Sequence, residues 1–395
     1  MARSTKVFSI VYDYVRRLVQ YNSAVKIHTN GIDNAYPQFV DGLFHTSVTA
    51  QCAAEIMTQY IVGKGVEFYG NLKVNSKQVL NMLSEDIAKS RVKHRGVFIH
   101  VNYNDSYEII EAKVIPFADC RIGIIDDNNH APKVYVSKLW GGVKGVKDDD
   151  CSIYDIFNPD TAVIQAQIDK AGSIEKYKGQ IMYINFDSEF IYPLSTVHPV
   201  LEDCESEKNA KIYKSNLTKR GFFGTTVVIS RPLVDKGLDK NTPEYIEMES
   251  ERTEFRDGWK NVLGADNAGG LLVLETEYAG DKLEDAIFIK QIESKIDDKL
   301  FAFTESSVRE NILMAFNNLP VGLIKSSDTL FGQSGTALFE MRKMYWENLE
   351  KDRNRHIEIL KIILKGMKRY NESQPLEIIP LFNFNTQPNA TSTLN

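Results

Sequence analysis

Four cysteines in 395 residues, Cys52, Cys120, Cys151 and Cys204, are too few and too scattered to staple a fold. None forms a CxxC pair and none has a histidine nearby in sequence, so neither a disulfide framework nor a structural zinc site is expected. Reduced thiols in a reducing compartment are the simpler reading. No window approaches the roughly 20 apolar residues of a membrane span. The apolar stretch Val7–Tyr12 is soon interrupted by Asp13, Arg16 and Arg17, too short for a signal peptide, and a cytoplasmic site of synthesis is expected. Neither sign of charge dominates: 47 basic and 53 acidic residues leave a formal charge of −6, which argues against a broad basic face that coats nucleic acid. The sequence has no GxxxxGK[ST], so ATP-driven P-loop motors are excluded, and no GxGxxG or GxSxG. His28, His45, His94, His100, His130, His198 and His356 form no HxH, HExxH or HxxxH pair. Structural roles are expected for them, and no metal or cofactor.

What is present is ordinary globular material, 43% hydrophobic and 25% charged, long enough for two or three domains of roughly 100–200 residues. Near-helical spacing predicts helices over 7–20, 40–62 (ended by Gly63-Lys64-Gly65) and 77–93, with Ser76 as N-cap. The period then changes. Val97–Val101, Tyr107–Ile115, Arg121–Ile125 and Lys133–Val136 read as strands of an antiparallel meander, with a hairpin turn at Asp126–Asn129, a solvent loop over 141–150 and one more strand at Ile181–Asn185. A long helix is predicted over 199–219, acidic at its start (Glu202, Asp203, Glu205, Glu207) and basic at its end (Lys208, Lys211, Lys214, Lys219, Arg220), as the helix dipole favours. Strand 225–230, helix 242–263 and strands 271–275 and 286–292 form a β-α-β-β unit. Helix 297–317, a loop to Gly335 and the longest helix, 336–368, follow. The end of the chain from Gln387 reads as a disordered tail.

Little in this pattern supports catalysis. Asp148-Asp149-Asp150 has the residue types of a divalent-cation site, but consecutive side chains diverge, and a solvated acidic turn is the better reading. Gly63-Lys64-Gly65-Val66 follows a helix, where a phosphate loop would follow a strand. Leu338, Met341, Tyr345, Leu349, His356, Leu360, Ile363 and Met367 share roughly one helical face, a packing stripe within the chain or between copies of it. The charged faces of helices 199–219 and 297–317 are either solvated or meet neighbouring copies through ion pairs.

The order of elements carries a resemblance. A helix ending in Lys219-Arg-Gly-Phe-Phe-Gly-Thr-Thr-Val-Val-Ile229 leads into the αβ unit and Asn267-Ala-Gly-Gly-Leu-Leu-Val-Leu274. Then come Phe303–Pro320, the segment Phe316-Asn-Asn-Leu-Pro-Val-Gly-Leu-Ile324, a loop, and the helix Phe339–Lys368. With Asp33-Asn-Ala-Tyr-Pro-Gln-Phe39 before a helix ending in Gly63-Lys-Gly65, and Ala118-Asp-Cys-Arg-Ile-Gly123 followed by Val134-Tyr-Val-Ser-Lys-Leu-Trp140, residues 30 to 385 resemble the portal proteins of tailed bacteriophages, of the Bacteroidetes-phage type.

The resemblance implies an α+β, portal-like fold: a mixed wing domain over 1–196, stem helices over 197–220 and 297–318, and a small αβ clip domain over 221–296. A tunnel loop over 319–335 would follow, with a wing helix and closing strand over 336–385 and a disordered tail over 386–395. In that scheme Lys325, Ser326, Ser327 and Asp328 face DNA, and little chain after residue 370 leaves a crown reduced or missing. The implied function is non-enzymatic: a ring, usually of twelve copies, at one capsid vertex, a channel for packaging and ejecting double-stranded DNA. The implied partners are the major capsid protein, the terminase large subunit, neck or adaptor proteins and non-specific DNA, with no membrane; the location is the virion, with assembly in host cytoplasm. Lys325 is the one basic residue of the loop, and repeated around a ring it would make a belt of charge. Exposed on a loop for no purpose is its plainer reading. The rival functions are a divalent-dependent nuclease or other hydrolase, and a ring-forming structural protein of another phage-like particle.

Overall fold

The computed structural model describes residues 21–22, 25–123, 133–142, 146–187, 191–219, 225–230, 239, 241–263, 271–275, 287–292, 298–324 and 335–383. The predicted helix at 7–20, the hairpin turn at Asp126–Asn129 and the tail lie outside these residues. The chain divides into two compact units, residues 1–205 with 309–395, and residues 206–308.

The first unit is built on a six-stranded sheet. Its strands are β3 (Gly96–Tyr103), β4 (Ile109–Ile115), β5 (Cys120–Ile122), β6 (Lys133–Val136), β7 (Ser152–Ile156) and β8 (Gln180–Asn185); a two-stranded ribbon, β1 (Tyr21–Asn22) with β2 (Ile27–His28), meets its edge through a bridge from Ile27 to Gly123. The order is β4-β3-β8-β7-β6-β5, so the expected single meander is two antiparallel pieces joined through β8, which pairs antiparallel with β3 and parallel with β7. The parallel step requires a crossover. It is supplied by α4 (Thr161–Ala171); this helix and β7 are elements the sequence reading missed. Their signals were present: Asp160 Oδ1 accepts the Ala162 N–H at 2.9 Å as an N-cap, and Gly172 ends the helix at φ 86°.

Centrally placed β3 is buried on both faces, as its run of apolar residues requires. Val97, Ile99 and Val101 point into the larger core with Leu80, Leu83, Ile87, Leu360, Ile363 and Leu364, while Phe98 joins Phe117, Ile181 and Tyr192 in a second cluster. The larger core is covered by α3 (Leu80–His94) and α9 (Glu350–Gly366). The expected start of α3 at Ser76 is corrected: Asn75 Oδ1 accepts the N–H groups of Lys77 and Gln78, holding that stretch as a turn, and the helix begins after Val79.

Two long helices expected from periodicity are each divided. The first becomes α1 (Tyr36–Thr46) and α2 (Val48–Val62), separated at Ser47, whose Oγ accepts the Ala50 N–H at 3.2 Å. The second becomes α8 (Gly335–Asn348) and α9, separated at Leu349 (φ −94°, ψ 8°); Glu350 and Asp352 then sit in the first turn of α9, where the dipole favours acids. Neither break needs proline or glycine. Among the described residues after Tyr370, where a closing strand was expected, the chain contributes one antiparallel bridge, Ile378 to Val66.

The second unit holds most of α5 (Leu201–Lys219) and the start of α7 (Asp298–Ala315), with a three-stranded sheet of β9 (Thr225–Ser230), β10 (Leu271–Glu275) and β11 (Ile287–Ile292). Helix α6 (Pro243–Leu263) connects β9 to β10, which pair in parallel, and β11 pairs antiparallel with β9. This is the β-α-β-β unit read from the sequence. At 21 residues, α6 is the longest helix among the described residues.

Candidate functional site

Lys325, Ser326, Ser327 and Asp328 lie outside the described residues. The structure instead defines how the two ends of their loop are held, and both ends belong to the first unit.

At the near end α7 stops after Ala315, and Asn317 and Asn318 both adopt left-handed backbone (φ 54° and 55°), which asparagine tolerates better than most residues. The Asn318 and Leu319 N–H groups bond back to the Met314 and Leu313 carbonyls, closing the helix end. Phe316 and Leu319 are buried on either side of this turn, and Pro320 leads into a 3₁₀ turn, Val321–Leu323.

The far end enters α8, and Tyr345 ties the two together. Its hydroxyl donates to the Phe316 carbonyl at 3.0 Å, with both residues fully buried. Burial pushes the Tyr345 phenol well above its usual range, so it stays a donor. Around this bond aromatic rings meet edge to face: Phe316 on Phe44 at 6.3 Å and Tyr345 on Tyr60 at 4.9 Å. Trp346 lies beside Tyr60, and the Arg353 guanidinium stacks 3.6 Å above the indole. The Tyr60 phenol, on a buried side chain, is pushed up to about 12 by desolvation, with the Arg342 charge opposing that shift.

A polar layer lies behind the rings. Asn317 Nδ2 donates to Asp352 Oδ2 at 2.9 Å. Arg91, from α3, donates to the Asp352 carboxylate and to its carbonyl, and its guanidinium lies 4.3 Å from the Phe186 ring centre. Burial lowers the Arg91 pKa to about 10, with the Asp352 charge opposing that shift. On the next turn of α9, His356 is fully buried and shares a 2.7 Å hydrogen bond between Nε2 and Ser84 Oγ. Burial and then the Arg91 charge push its pKa down to about 3, so it is a neutral packing residue.

This arrangement holds residues 316–324 against the residues of α8 and α9 from 345 onward. The stripe expected on helix 336–368 supplies it from Tyr345 onward, with Tyr345, Leu349, His356, Leu360, Ile363 and Met367 all buried within the chain, while Leu338 and Met341 are half-buried. Sequence reading missed Phe44, Tyr60, Arg91 and Asp352 as parts of the site. Their spacing marks them as helix-face residues, and only the fold brings four distant segments to one place.

Other sequence candidates separate. Asp148–Asp150 forms a 3₁₀ turn in which Asp150 Oδ2 accepts the Lys147 N–H. Among the described residues no three His, Cys, Asp or Glu side chains gather to hold a metal, and no helix is long and apolar enough to cross a membrane. The charged helix faces do form ion pairs and hydrogen bonds inside the chain: Asp203 with Asn311 in the first unit, and Lys214 with Glu305 at 2.6 Å in the second.

No family model matches the sequence, and no curated protein is similar to it in sequence. Solved structures do match. The chain is similar to one in the neck of an empty GTA (gene transfer agent) particle computed with C6 symmetry, at TM-score 0.50 and 14% identity, over 85% of this chain and 81% of that one. The two share a fold. The neck of the native GTA particle computed with C12 symmetry matches at TM-score 0.49 and 14% identity, over 87% and 84%. An HK97 family phage portal protein from Corynebacterium diphtheriae matches at TM-score 0.42 and 10% identity, over 86% and 94%. The expected α+β class holds, with helices packed on a six-stranded mixed sheet.

Proposed function

We propose that the chain is a portal subunit, one copy in a closed ring through which double-stranded DNA enters and leaves a phage or phage-like particle. The observation that carries the reading is the fold shared along most of the chain with a component of a particle neck. Twelve copies satisfy the six-fold symmetry under which that neck is described. The pinned loop base supports the same reading, because a loop that touches passing DNA must transmit force to a rigid body without being pulled out of it.

In this proposal residues 1–196 and 336–385 make the wing, 197–220 and 297–318 the stem, 221–296 the clip and 319–335 the tunnel loop. The ring docks on the major capsid protein, the terminase large subunit engages it during packaging, and neck or adaptor proteins follow. Its place is the virion, reached by assembly in host cytoplasm. No catalytic step is assigned to it. A mildly acidic chain suits passage, since each neutralised phosphate adds a salt-dependent hold on the duplex.

The test is mass by light scattering with negative-stain images of the same peak. Twelve copies of a 44.9 kDa chain, about 539 kDa, seen as rings with a central hole, are the expected outcome. A monomer that cleaves DNA with a divalent cation would replace this reading by that of a hydrolase.

A further inference from the structure

A pocket of about 290 Å³ opens behind the loop base, walled by the ends of α3 and α7, by α9, by the segment after β8 and by the chain leading into α5. Its charges do not balance. Arg91, Arg95 and Arg355 line it with only Asp187 and Asp352. Asp352 is engaged by buried Arg91, and Asp187 lies 3.8 Å from Arg95. Arg355 is exposed at the rim, and among the described residues no hydrogen bond or ion pair engages it. Arg95 and Arg355 both depress the Arg91 pKa, so the three guanidiniums repel one another. The dipole of α3 accounts for Arg91 and Arg95 near its C-terminus. It does not account for Arg355, which stands in the second turn of α9, toward the end that disfavours a cation. His198 on the wall is held through Nδ1 by the Tyr36 hydroxyl at 2.9 Å, and burial lowers its pKa, so it adds no charge near neutral pH.

We propose that this pocket is a socket for an oxyanion, filled by the carboxylate of an acidic side chain from a neighbouring copy of the chain. The planar guanidinium fork is the donor best matched to such a group, and Arg355 supplies one that is uncommitted. Size favours a side chain: about 290 Å³ recessed among these segments and Met57 of α2 admits one carboxylate-bearing residue, whereas a helix is wider and a duplex phosphate sits on a convex surface. Charge favours a second copy, because this chain carries more acidic than basic residues. In a closed ring every copy presents one face to the next copy's other face, so a socket on one side meets the same acidic residue each time. The assignment rests on the ring reading.

Mass photometry over a concentration series, with a thermal melt of each variant, tests it. Arg355→Glu should raise the concentration for half-assembly at least tenfold and leave the melting temperature unmoved, because Arg355 is exposed. Arg95→Glu should do the same more weakly, and Arg355→Lys, which keeps the charge and loses the fork, should fall between the parent and Arg355→Glu. Added salt should weaken assembly of the parent more than of Arg355→Glu. Rings of Arg355→Glu formed at the parent's concentration overturn the socket while leaving the ring intact. A parent chain monomeric at every concentration overturns the socket, and one that also cleaves DNA with a divalent cation overturns the ring reading with it. Inorganic phosphate or acetate that raises the parent's melting temperature, but not that of Arg355→Glu, with assembly equal in both, assigns the pocket to a small free anion and overturns the second-copy assignment.

Discussion

His356 is neutral in the folded chain because it is fully buried with Arg91 nearby, and its pKa of about 3 lies far below the ordinary 6.5. The unfolded chain takes up a proton below pH 6.5 that the folded chain refuses until about pH 3. The stability this histidine contributes is therefore complete above pH 6.5 and declines as pH falls through that window, by at most about 1.4 kcal/mol per pH unit. His28, His100 and His198, also lowered by burial, act in the same direction. Urea unfolding of His356→Gln at pH 6.5 and 4.5 should show a pH slope shallower by up to one proton, and an unchanged slope would refute the assignment. Asp352 belongs to the same scale. Asp352→Ala leaves Arg91 buried without its counter-charge and should cost about 3–5 kcal/mol. Adding Arg91→Met should recover part of that loss, and equilibrium unfolding of the three variants measures the coupling.

Among elements, a buried hydrogen bond ties α8 to the turn that follows α7. Tyr345→Phe keeps the ring and orphans the Phe316 carbonyl, so about 1–2 kcal/mol of stability should go, with faster amide exchange over 316–324. The turn after α2 has less tolerance: at Gly63, φ is 58° and an added Cβ would come within 2.2 Å of the Ile379 carbonyl oxygen. Gly63→Ala should cost about 2 kcal/mol or more and release the 376–380 segment, readable as new protease cleavage there. These elements also show what the sequence makes legible. The β9-α6-β10-β11 unit follows from local pattern to within a residue or two, because each strand is a short run rich in apolar residues. The division at Ser47 is written in a capping residue that periodicity overrode, and the division at Leu349 in the acids that follow it. Strand order in the larger sheet is a different matter. Parallel pairing of β7 with β8 is a long-range choice that no local signal records. The loop residues are legible only through a family resemblance, and the anchor of Phe44, Tyr60, Arg91 and Asp352 only through the fold.

For the whole molecule, under the proposed portal reading, the question is how a ring would let DNA move while still touching it. An acidic subunit supplies no general attraction, so in that reading any hold on the duplex would fall to whichever cations faced the channel. In the portal reading Lys325 is that cation, one per copy, with Ser326 and Ser327 beside it and Asp328 limiting the local positive charge. Such a belt touches phosphates and reads no sequence. Rings should then bind duplex DNA weakly and without sequence preference, with the logarithm of affinity falling against the logarithm of salt by roughly 0.9 for each lysine in contact with a phosphate. Lys325→Ala should flatten that line by the same amount and leave ring mass unchanged, since the loop base at Phe316 and Tyr345 is untouched. The measurement is DNA binding by anisotropy at four or five salt concentrations on assembled rings of each chain. If both chains give the same slope, Lys325 is an ordinary exposed loop lysine and the contacts lie elsewhere in the ring. A flattened slope with impaired packaging would show that the one weak belt is what steadies the duplex between strokes of the motor.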